Sequence, residues 1–212
     1  MDCEVLVLHF LRIMKEIIRD LINREIEGIR NIPVDDTIPR AIELIHKQVH
    51  QDGGKVIVAG LGKAGQIGHN IATTLSSTGT PAVFLHPLEA QHGDLGIIQK
   101  NDILFLISNS GKTREILELL PLARRIFPGI SSIGLTGHPE NELGIQVDVC
   151  LSTGYPKEVC PLGLTPTTST TVMTVLGDVI VVMLMKKIGF TKSDYALRHH
   201  SGYLGIKSRE DE

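Results

Sequence analysis

Tryptophan is absent from this chain, and aromatic residues make up only 4% of it. Its core must therefore be built from aliphatic side chains. Cysteine is scarce: Cys3, Cys150 and Cys160 are odd in number and match no zinc-ligand spacing. That excludes a disulfide framework and leaves buried free thiols of a reducing compartment as the expectation. No charge dominates, since 21 basic against 24 acidic residues leave a net −3. A nucleic-acid binder is not expected from such a balance. No apolar run reaches a membrane span of about 20 residues. The longest, Val172–Met185, contains Gly177 and Asp178 and reads as a buried helix. Met1 is followed by Asp2 and Glu4 instead of the basic start of a signal peptide. A cytoplasmic protein is expected, with no membrane partner. Internal repeats and low-complexity linkers are also missing.

What is present is a globular composition, 42% hydrophobic and 21% charged over 212 residues. The reading is one domain, residues 1–212, in three parts. Residues 1–52 hold two helices. The first runs from Glu4 to about Ile29, with Val7, Leu11, Met14, Ile18, Leu21, Ile22 and Ile26 along it. Packing on a second subunit and packing on its own domain both fit that face. The second is capped by Asp36 or Thr37 and runs to about His50. Residues 53–190 alternate. Strands are expected at Val56–Ala59, Ala82–Leu85, Ile103–Ile107, Ser132–Leu135 and Val147–Leu151, and a long helix over Leu164–Ile188. Such alternation predicts a three-layer α/β/α fold on a five-stranded parallel sheet, flavodoxin-like in class. Residues 191–212 form a polar C-terminal segment.

Ser108-Asn109-Ser110-Gly111-Lys112-Thr113 lies between the Ile103–Ile107 strand and a helix over Thr113–Phe127. A hydroxyl-rich turn at a helix start collects N–H groups and the positive end of the helix dipole, which suits a phosphate. Plain capping by Ser110 and Thr113 is the alternative. Gly60-Leu61-Gly62-Lys63-Ala64-Gly65 is a second glycine turn. It has the spacing of a dinucleotide fingerprint, but Phe84-Leu85-His86-Pro87 stands where the ribose-binding acid belongs.

Several blocks then resemble one family. They are the glycine turn, Ser77-Thr78-Gly79-Thr80-Pro81, His86-Pro87-Leu88-Glu89-Ala90-Gln91-His92-Gly93-Asp94-Leu95-Gly96, Ile107–Gly111, Lys157–Thr167, Gly177-Asp178 and Asp194–His199. In order and spacing the chain resembles a SIS (sugar isomerase) domain, of the arabinose-5-phosphate isomerases of the KpsF/GutQ type. The resemblance implies interconversion of ribulose 5-phosphate and arabinose 5-phosphate for synthesis of the acid sugar Kdo of lipopolysaccharide or capsule. It implies a homotetramer with sites where subunits meet, no required cofactor, and zinc as an inhibitor. Nucleotide-activated Kdo, CMP-Kdo, is a further ligand it suggests. Two departures stand out: the tandem CBS pair of many relatives does not follow, and Lys112 stands where an acidic residue is common.

The resemblance distributes roles. Lys63, Glu115, Glu158 and His199 match the catalytic set. Glu158 is the first choice for moving a proton between C1 and C2, Lys63 stabilises the phosphate or the enediolate, and His199 serves ring opening or proton transfer. Glu115 is a base or simply a favourable charge at a helix start. Substrate contacts fall to Gly62, Gly79, Thr80, His92, Ser108, Asn109, Ser110, Thr113, Thr167 and Thr168, and His86 resembles a zinc-site histidine. Two other readings remain: an isomerase for another phosphosugar, and a sensor that binds a sugar phosphate without chemistry.

Overall fold

The computed structural model describes residues 3–209, with side chains from Val7 onward. The apolar runs become five parallel strands, β1 (Val56–Gly60), β2 (Ala82–Phe84), β3 (Ile103–Ile107), β4 (Ser131–Thr136) and β5 (Val149–Ser152). Their order is β2-β1-β3-β4-β5. β1 and β3 are buried along their whole length, which explains their unbroken apolar runs. Around them lie α1 (Cys3–Arg30), α2 (Thr37–Ile45), α3 (Gly62–Ser77), α4 (Pro87–Ala90) and α5 (Arg114–Ile126). These are followed by α6 (Glu142–Gln146), α7 (Thr168–Ile188), α8 (Lys192–Ala196) and α9 (Gly202–Lys207).

Alternate residues of β3 feed two cores. Phe105 and Ile107 pack with Ile42 of α2, Ile71 of α3 and Leu176 of α7. Leu104 and Leu106 pack with Ala90 of α4, Leu119 of α5 and Leu143 of α6. Helices therefore cover both faces, as the alternation predicts. Gly177 of α7 faces Ile71 of α3, nine residues into each helix. Both helices start from the carboxyl ends of strands, so their N-termini stand at one level above the sheet.

Several local expectations needed correction. The second helix is α-helical only to Ile45 and continues as a π-turn over His46–Gln51. Asp36 is its N-cap but makes no side-chain cap bond; Asp35 Oδ1 instead accepts from Thr37 N at 2.9 Å and Thr37 Oγ1 at 2.6 Å. α7 starts at Thr168, not Leu164. The polar segment after it folds as α8 and α9. Cys150 and Cys160 are free but only half-buried, while the Cys3 side chain lies outside the described residues. α7 is the one described helix long and apolar enough to cross a membrane, and half of that apolar stretch is buried in the fold. It is a core helix.

α1 touches the fold mainly near its end, where Gly28 is buried. Its earlier apolar residues, including Leu8, Phe10, Ile17 and Ile22, are 50–66% exposed.

Candidate active site

In an open parallel sheet, ligands bind beyond the carboxyl ends where the chain turns opposite ways from neighbouring strands. Here that point lies between β1 and β3. β1 leads through α3 to β2 on one side, and β3 leads through α5 to β4 on the other. Gly60 pairs with Ile107, so the Lys63 turn and the Ser108–Thr113 turn face one crevice.

The Ser108–Thr113 turn is rigid. Ser108 is 3% exposed, and its Oγ lies 2.8 Å from Thr113 Oγ1 and accepts from Gly111 N at 3.2 Å. Ser110 Oγ accepts from Lys112 N at 3.2 Å. Gly111 has φ +63°, and a Cβ there would collide with Asn141. Asn141 Nδ2 donates to Ser110 O at 3.0 Å and Thr136 Oγ1 at 2.6 Å, bracing the turn from the β4–α6 loop. The same residue caps α6 through Gly144 N. Sequence reasoning missed Asn141; its only local signal was an N-cap asparagine before Glu142.

Capping is not what the hydroxyls do. Thr113 is the N-cap of α5, yet its side chain makes no cap bond, and Leu61 at the start of α3 makes none either. Two helix N-termini thus present uncapped N–H groups and positive dipole ends at the crevice. Lys63 is exposed in the first turn of α3, its Nζ 3.4 Å from Gln66 Oε1. Glu115, half-buried in the first turn of α5, accepts no hydrogen bond among the described residues.

The third N-terminus, that of α7, is already occupied. Glu158 Oε2 accepts from Thr167 N at 2.7 Å, Thr167 Oγ1 at 2.8 Å and Ser169 N at 3.3 Å. Burial pushes the Glu158 carboxyl upward, but the bonds from Ser169 and Thr167 outweigh it and hold the group below its usual value. All three bonds fall on Oε2. Thr167 therefore serves Glu158, and Thr168 is fully buried with its hydroxyl donating to Glu25 of α1 at 3.0 Å. Neither is placed as a direct phosphate ligand in this arrangement. Cys160, two residues past Glu158, has its thiol lowered to about 6 by bonds from the Thr165 hydroxyl and the N–H groups of Thr165, Leu162 and Leu164. Tyr155 carries a left-handed φ of 50° and its ring lies tilted by 40° against His138, with 3.8 Å between centroids.

Other expected residues stand apart within one chain. Gly79 and Thr80 connect α3 to β2 at the amino end of the sheet, opposite the crevice. Thr80 is 1% exposed and bonds His50 Nε2 at 3.1 Å, while Phe190 covers Gly79. His199 stacks on Tyr195 at 3.7 Å and accepts Arg209 on its carbonyl, all within the C-terminal segment. Adjacent Arg198 lies beside Thr73, Ser77 and Val83, on the β2 edge. His92 is exposed in the turn after α4. Gly62, with φ +60°, opens α3 at the crevice. His86 lines a cavity of about 370 Å³ with Gln66 and His69, and its Nδ1 is buried without a partner among the described residues. Among the described residues no three His, Cys, Asp or Glu side chains group as a metal site. His86 alone does not make one. The apolar cleft lined by Ile38, Ile42, Val179 and Met183 lies on the α2–α7 flank, away from this chemistry.

A five-stranded parallel sheet with this hydroxyl-rich turn at its switch point defines an α/β domain whose crevice suits an anionic ligand. The chain belongs to the SIS-domain family, whose model matches residues 50–183. It is similar to a Bacteroides fragilis protein, provisionally assigned as a phosphosugar isomerase involved in capsule formation. The two are 59% identical with a TM-score of 0.88, over 90% of this chain and 99% of that one. An Escherichia coli CFT073 protein in complex with arabinose 5-phosphate is 33% identical, with a TM-score of 0.80 over 94% of this chain and all of that one. The arabinose 5-phosphate isomerase KdsD of Yersinia pestis is 46% identical over 191 residues, 89% of this chain and 56% of the relative. The chain spans about half the length of the curated relatives it matches.

One expectation follows from the brace. Asn141→Ala should weaken binding of a phosphate ester about tenfold, by freeing the Ser110 carbonyl and the turn above it. Titration calorimetry reads this directly, and unchanged affinity would mean the turn stands without its brace.

Proposed function

We propose that this chain is an aldose–ketose isomerase interconverting ribulose 5-phosphate and arabinose 5-phosphate through an enediol. The observation that carries the proposal is the uncapped start of α5 behind Ser108, Ser110 and Thr113, facing Lys63 across the β1–β3 crevice. A phosphate bound there would leave the sugar carbons within the crevice mouth. The Escherichia coli complex and the KdsD relatives supply the sugar. Glu158 Oε1 moves the proton from C1 to C2, held in aim by the bonds on Oε2. Lys63 balances the enediolate charge. The proton transfers need only side-chain acids and bases, so the proposal invokes no cofactor, and a sensor would not need a base at Glu158.

His199 completes the site from a neighbouring copy, in a homotetramer. Its remote place in its own chain and the exposed apolar face of α1 support that assembly. The product would feed Kdo synthesis in the cytoplasm, and the Bacteroides relative favours a capsule over lipopolysaccharide.

Proton NMR of the protein with ribulose 5-phosphate in D2O tests the reading. Arabinose 5-phosphate carrying deuterium at C2 is expected. Binding with neither product nor exchange would replace the isomerase with a sensor.

A further inference from the structure

α1 meets the Glu158 turn through three residues of one helical face, Arg24, Glu25 and Gly28. Arg24 Nη2 donates to the Glu158 carbonyl at 3.2 Å. Glu25 Oε1 accepts from Thr168 Oγ1 at 3.0 Å, and that hydroxyl accepts from Val159 N at 3.2 Å. The relay therefore runs from α1 through a fully buried threonine to the residue after Glu158. Gly28 lets the helices meet, since a Cβ there would collide with Thr168 Cγ2. Glu25 Oε2 is buried without a hydrogen-bond partner among the described residues. A buried carboxylate oxygen left unpaired is destabilising, so packing alone does not account for a glutamate here.

We infer that Glu25 is a positioning residue: through Thr168 and Val159 it fixes the turn that aims Glu158 at the crevice. Its effect on turnover rests on the isomerase reading above; its effect on the turn does not. Nothing in the motif resemblance touches Glu25, which lies 133 residues before Glu158 in a helix read only for its apolar face.

In the full-length chain, Glu25→Ala is expected to lower kcat about tenfold with KM within about twofold. Glu25→Gln keeps an acceptor for Thr168 and should restore kcat. In a Glu158→Gln background, Glu25→Ala should cost nothing further. Hydrogen exchange at the Thr167 and Ser169 amides, both bonded to Glu158, gives a readout free of activity. Glu25→Ala should speed it about tenfold while exchange in β3 stays slow. Thr168→Val cuts the same relay from the other side if Glu25→Ala does not fold. Unchanged amide exchange in the relay variants would overturn the inference, as would additive losses in the double variant. A wild-type protein without turnover would sink the isomerase reading alone, and amide exchange would still decide the role of Glu25.

Discussion

Glu158→Gln is expected to lower turnover by about 10²-fold or more, with the melting temperature nearly unchanged. The two halves of that expectation come from the two carboxylate oxygens. Oε2 takes the N–H groups of Thr167 and Ser169 and the Thr167 hydroxyl, closing the N-terminus of α7. A glutamine carbonyl can accept the same bonds, so the helix keeps its cap. What glutamine cannot do is take a proton from C1. The lowered carboxyl of Glu158 is ionised at neutral pH and ready to accept one. Glu158→Ala would behave differently, losing stability as well as turnover. Steady-state kinetics beside thermal melts separate the outcomes. Near-normal turnover in Glu158→Gln would transfer the proton step to Glu115, which stands unbonded at the start of α5.

His199→Ala should cost a similar factor of about 10², and the loss should be repairable by a second copy. Within one chain His199 is held by Tyr195 and lies on the segment that runs along the β2 edge, away from Ser108. If it serves a neighbour, subunits carrying His199→Ala and subunits carrying Glu158→Gln can form mixed assemblies. Each mixed pair then owns one intact site. Random mixing of equal amounts should recover about a quarter of wild-type activity. The measurement is co-refolding of the two inactive variants followed by assay. No recovery, with mixed assemblies demonstrated by mass, would place His199 and Glu158 in the same chain's site.

The sheet and its helices were legible because their signals are local. Ile103–Ile107 is apolar at every position since β3 is covered on both faces. The Ser108–Thr113 turn announced itself by composition, and strand pairing set it opposite Lys63. Boundaries failed where tertiary bonds decide them. Leu164–Thr167 contains Pro166, which disfavours helix at Thr165, and Glu158 then fixes the first turn at Thr167 and Ser169. Asn141 and Glu25 were invisible because their partners lie 31 and 143 residues away. Gly79 and Thr80 belong to a block that matches the family, yet their loop closes the amino end of the sheet. Their place before the strand at Ala82 already puts them at its amino end in a parallel sheet, a sign that the motif match alone passes over.

The attachment of α1 to the Glu158 turn also bears on how the chain is made. Arg24 and Glu25 leave the ribosome long before the residues they hold, separated from Glu158 and Thr168 by 134 and 143 positions. At about 5–20 residues per second, the gap amounts to roughly 7–30 s of synthesis. For that interval the nascent helix carries Phe10, Ile17 and Ile22 before the turn that anchors it has been made. α1 thus emerges well before the turn that secures it, and until then its aliphatic surface stays open to solvent.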